Sequence, residues 1–142
     1  MTDARRRSGL RIICRRGDPE VGAALVRFAS WLRRNYEFPI RVPVYLSPRE
    51  RVVDARGEEG AGIFFGPWDR EEEPHIRMST GDYPKELAQG GRDNALAAYL
   101  GCLAHEVLHY QQWIRGEVPS EEGVDDEASA IVDRYAETVA RP

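Results

Sequence analysis

Cysteine is scarce: Cys14 and Cys102 are the only two among 142 residues. Two thiols close one bridge at most, which excludes the disulfide framework that holds many small secreted domains together. Their expected places, one in a strand and one in a helix, suit small buried side chains, and both are read as reduced. Histidine is nearly as rare, so any imidazole chemistry must come from His75, His105 and His109. No apolar run reaches the roughly 18 residues of a membrane-spanning helix, and the short run at residues 10–14 falls below a signal-peptide core. The expectation is a cytoplasmic chain with no membrane partner. An excess of positive charge is also lacking. Twenty Lys+Arg against 24 Asp+Glu leave a formal net charge of -4, which argues against nucleic acid as a partner.

What is present is the composition of an ordinary globular domain: 42% hydrophobic and 31% charged residues, in a length suited to one core. Arg5, Arg6, Arg7, Arg15 and Arg16 gather near the start. Residues 1–9 are read as a flexible, solvated basic arm and residues 10–142 as a single domain.

Along the chain, residues 10–14 (LRIIC) read as a strand, and Gly17-Asp18-Pro19 turns into a helix near residues 19–36. There Val21, Ala24, Leu25, Phe28, Ala29 and Leu32 recur at helical spacing. Residues 40–46 (IRVPVYL) alternate as a strand, with Pro43 pointing to an edge or an irregularity. Short runs at 51–55, 62–65 and 75–80, separated by glycine and acidic turns, read as antiparallel strands. The acids Glu71 to Glu73 are read as a solvated loop without chemistry. A long helix is expected from Asp93 as N-cap to Arg115, with Gly116 as its stop, and a last helix from Glu121 to Val139.

The long helix carries His105-Glu106-Val107-Leu108-His109. At 100° per residue the two histidines stand about 40° apart on one face, so both imidazoles can reach one ion. Neutral imidazole is a good ligand for zinc, and a catalytic zinc needs three protein ligands and one open position. Glu106, about 100° round from His105, points beside the ion, where it can take a proton from water. Leu96, Leu100, Leu103, Val107, Tyr110 and Ile114 form an apolar stripe on the opposite side, while Ala98, Gly101 and Cys102 leave room for a close neighbour. A His-Glu-x-x-His string arises by chance in a chain of this length with a probability on the order of 0.3%.

On these residues the chain resembles the HExxH zinc metallopeptidases, and among them the gluzincins, whose third ligand is a glutamate on a following helix. Glu127, 18 residues after His109 and followed by Ala128-Ser129-Ala130, matches that glutamate. Asp125 and Asp126 are rivals for the same place, and His75 is a more distant one. The outline looks most like the minimal gluzincins called minigluzincins. Related families carry Asp or Asn directly after the alanine of their Glu-x-x-Ala pattern. Here Ile131 follows Ala130, so the group that orients the histidines is not named. The longer metzincin pattern needs Gly at 112 and His at 115, where this chain has Gln112 and Arg115.

The resemblance implies a zincin-like α+β fold. It would have a small mixed or antiparallel sheet, a helix from the N-terminal half, the motif helix and a glutamate helix. It implies one Zn2+ held by His105, His109 and Glu127. It also implies hydrolysis of peptide bonds in a peptide or protein substrate, with Glu106 as general base. The strand near residues 75–80 would form the rim along which an extended peptide adds. Tyr83, Tyr99, Tyr110 and Tyr135 are available as oxyanion donors, none singled out. The alternative is a non-catalytic or latent peptidase-like fold serving as a metal-containing binding or regulatory module.

Overall fold

The computed structural model describes residues 8–54 and 56–140. Most of the expected basic arm, residues 1–7, lies outside them. The elements run β1 (Leu10–Ile13), α1 (Pro19–Asn35), β2 (Val42–Ser47), β3 (Val52–Val53), β4 (Glu59–Gly60), β5 (Gly62–Phe65), β6 (His75–Ser79), α2 (Tyr83–Ile114) and α3 (Val124–Ala140). The α+β class agrees with the sequence reading, and the sheet is mixed. Four strands lie in the order β1-β2-β6-β5. The first three are parallel, and β5 alone runs antiparallel, against β6. The short β3–β4 hairpin forms a separate ladder.

Helix α1 starts where its residues require. Asp18 accepts hydrogen bonds at Oδ1 from the Glu20 and Val21 amides at 2.9 and 3.1 Å, and Pro19 occupies the first turn, where its missing N–H costs nothing. The six apolar residues read from its periodicity are all buried. They pack with Leu10, Val42, Val44, Ile76 and Met78 of the sheet and with Leu96, Leu103, Val107 and Tyr110 of α2 in one core. A fully buried side chain such as Phe28 contributes roughly 1.5–3 kcal/mol over its exposed state.

Two strand expectations are corrected. β2 is not an edge strand but is paired on both sides. Its proline is tolerated because the Val42 amide donates to Gly9 toward β1, so the next backbone position, Pro43, faces β6, whose pairing begins only at Val44. β6 is likewise interior, so residues 75–80 offer no free rim. The end strand on that side is β5.

Helix α2 begins earlier than expected, at Tyr83, and is broken at Gly91, whose φ of 84° and ψ of 171° are open essentially to glycine alone. Two helices are joined at that break, so Asp93, expected as the N-cap, stands two residues past it in the first turn of the second. At the far end Gly116 does stop the helix. Its φ is 73°, its amide donates to Trp113 O at 3.1 Å, and the Glu117 amide donates to Gln112 O at 2.9 Å, the two bonds of a Schellman motif. α3 begins at Val124, three residues later than expected. That leaves Glu121 in the connection between the helices.

The break in α2 yields a direct expectation. Gly91→Ala should destabilise the protein by about 1–3 kcal/mol, because an L side chain opposes that backbone conformation. Denaturant unfolding of the two proteins measures it, and an unchanged midpoint would show that the break relaxes into continuous helix.

Candidate metal centre

Burial of Leu103, Val107 and Tyr110 turns the opposite face of α2 toward α3. On that face the His105 and His109 rings meet with Nε2 atoms 3.2 Å apart and centroids 4.9 Å apart. The i, i+4 spacing thus brings the two rings together as the periodicity predicts. Glu121 completes the group. One of its carboxylate oxygens lies 3.1 Å from His105 Nε2 and the other 3.1 Å from His109 Nε2. Among the described residues these three side chains form a set able to hold one metal ion.

The donor chemistry fits an ion. His105 Nδ1 faces Asp125 Oδ1 at 2.8 Å and His109 Nδ1 faces Gln112 Oε1 at 3.1 Å. With a proton on each Nδ1, both neutral rings turn a bare Nε2 lone pair toward the Glu121 carboxylate, and such a cluster of acceptors repels itself unless a cation joins it. Around an ion with ligand atoms at about 2.0–2.1 Å, tetrahedral neighbours stand about 3.3 Å apart, close to the separations seen here.

Glu127, matched to the third ligand by resemblance, is not brought into this group. It sits exposed in the first turn of α3 with its carboxylate 4.0 Å from Arg134. The reason is the phase of α3, which buries Val124, Ala128 and Ile131. Asp125 lies on one flank of that stripe and Glu127, about 200° further round, on the other. The flank turned to the histidines is the one bearing Asp125 and Ser129. Asp125, a rival for ligation in the sequence reading, instead contacts the outer nitrogen of His105. Asp126 is exposed, and His75 packs between the rings of Tyr45 and Phe65 at 6.0 and 5.1 Å. Glu121 was missed because it reads as a helix start. The one signal for it was Gly123, whose φ of 74° breaks the expected helix.

Glu106 lies beside the group and is 93% buried, its exposure being 7%. It faces β5 at Gly62, and the nearby Phe64 backbone N–H favours its charged form slightly. Burial holds its carboxyl above the ordinary carboxylate range, opposed by the neighbouring histidines and reinforced by Glu121. β5 can come this close because residue 62 is glycine. A Cβ there would stand 2.7 Å from Cys102 Sγ and 3.4 Å from Glu106 Oε2. The Cys102 thiol is pushed up to about 12 by burial and by Glu106, so it stays protonated and is a poor ligand. A cleft of about 410 Å³ opens from His105 and Glu106, walled by Gly62, Ala98, Gly101, Cys102, Ala128 and Ser129.

Of the four tyrosines considered as oxyanion donors, two have hydroxyls bonded elsewhere and two pack their rings elsewhere. The Tyr110 hydroxyl donates to Ile40 O and accepts from the Ile40 amide, and that of Tyr83 donates to Glu20. Tyr135 packs on Phe28 and Trp31, and Tyr99 on Tyr83. The chain matches no protein-family model, no curated protein and no solved structure.

Two glutamates can be set against each other. If this set holds zinc, Glu121→Ala should weaken its binding sharply, whereas Glu127→Ala should leave it near that of the parent. Competition with a chelating dye measures both, and the reverse pattern would return the third ligand to α3.

Proposed function

We propose that the chain is a zinc-dependent metallopeptidase in which His105, His109 and Glu121 hold one Zn2+ and Glu106 acts as general base. The observation that carries this reading is the pairing of two unlike features: a converging set of lone pairs, and next to it a buried carboxylate that takes no part in the set. A purely structural metal site has no use for the second.

Zinc bound there supplies Lewis acidity, polarising the scissile carbonyl and lowering the pKa of a water molecule. Glu106 takes that water's proton and later gives it to the leaving amine. Its burial favours the protonated carboxylic acid that exists between those two events. The cleft walled by small residues receives a substrate side chain beside the reacting bond. As the end strand next to α2, β5 is where an extended peptide would add by main-chain hydrogen bonds. This takes over the role first assigned to residues 75–80. The reading agrees with the resemblance to HExxH gluzincins in the histidines and in Glu106, and departs from it in the origin of the third ligand.

Glu106→Gln keeps size and shape and removes the base. The variant should fold and bind zinc like the parent, yet lose roughly 10²–10⁴-fold in rate on any peptide the parent cleaves, read as new termini in a broad peptide library. Chelation should silence the parent and zinc restore it. A parent that binds peptides as the variant does and cleaves none would favour a metal-containing binding module instead.

A further inference from the structure

We propose that Gln112 is the positioning residue of this centre, setting the proton on His109 and holding Glu121 within reach of it. The inference rests on the metal-centre reading above and adds a residue that neither the motif nor the ligand set names.

The argument begins with the backbone of Ser120, whose N–H can only donate and whose C=O can only accept. Gln112 Nε2 donates to Ser120 O at 2.9 Å, and the Ser120 amide donates to Gln112 Oε1 at 3.2 Å. Reversing the side-chain amide would set donor against donor and acceptor against acceptor. Its orientation is thus dictated by the main chain. The same Oε1 lies 3.1 Å from His109 Nδ1, so that nitrogen must carry the proton. A neutral imidazole has only one, and Nε2 is left bare toward Glu121 and His105.

The second half concerns the connection between α2 and α3. It is bounded by Gly116 and Gly123, both in the left-handed region at φ 73° and 74°, and residues 116–123 are all exposed. The Glu121 side chain is itself 73% exposed, so packing does not hold its carboxylate. The residue before it, Ser120, is gripped on both backbone groups by Gln112. One side chain therefore links two ligands, the histidine one turn behind it and the carboxylate across the connection.

The test uses Gln112→Met, which keeps length and helix propensity but has no amide. Zinc affinity by dye competition should fall about 10–100-fold, and amide exchange at Ser120 should quicken in the metal-free protein while its melting temperature changes little. Glu121→Ala should then cost less in the Gln112→Met background than in the parent, since the carboxylate is already loosened. Gln112→Asn, too short to span both partners, carries the same expectations should the Met variant fail to fold. Equal affinity of parent and variant, or strictly additive losses with Glu121→Ala, would overturn the proposal and leave the metal centre standing. A parent that binds no zinc would overturn both.

Discussion

Tyr110 is fully buried, and its hydroxyl both donates to and accepts from the backbone of Ile40, just before β2. Two opposed hydrogen bonds to one residue leave the ring little freedom, and a helix pinned there cannot rotate about its axis without breaking them. Tyr110 adjoins His109, so the rotation that buries the tyrosine also sets the direction of the ligands. With Leu103 and Val107 turned inward, His105 and His109 face α3 and Glu106 faces β5. A turn of one residue, about 100°, would take Glu106 away from β5 and the histidines out of line with α3.

The two sides of the centre are built on different physics. On the β5 side contact is close and dry. Gly62 lets the strand approach, Glu106 is buried against it, and Trp113 donates from its indole nitrogen to Pro67 O at 3.0 Å to hold the chain beyond β5 against α2. On the α3 side the groups are wet: Glu121 and Asp125 have side-chain exposures of 73% and 91%. A buried carboxylate suits proton transfer because low dielectric raises its affinity for the proton. An exposed one costs little to keep charged, and its position must come from hydrogen bonds and the ion rather than from packing. Under the proposed function, metal binding and order in the connection between α2 and α3 would be coupled, each supporting the other.

How much of this was legible in the sequence follows from the range of each interaction. Three helices, the presence of short strands, the buried stripe of α1 and the stop at Gly116 all follow from periodicity and capping, which act within a few residues. The pairing of His105 with His109 is equally local, since any helix with that spacing places them together. Errors arose where position depended on a partner distant in sequence. Pro43 suggested an edge, yet β2 is interior because β6 begins its pairing one residue later. The rim was assigned to residues 75–80, yet β5 lies outside them, and strand order is not written in any one strand.

The carboxylate of the candidate site shows the division most clearly. The run from Glu121 to Glu127 holds five acids, and their spacing alone cannot rank them. Their ranking depends on where α3 starts and on which of its flanks meets α2. Both are decided by the burial of Val124, Ala128 and Ile131 against residues far away in the chain. Sequence by itself determined the histidine pair and the glutamate beside it, because one helix carries all three. Tertiary structure decided the carboxylate, the two groups that orient the rings and the strand beside the cleft, because each requires separate elements to meet.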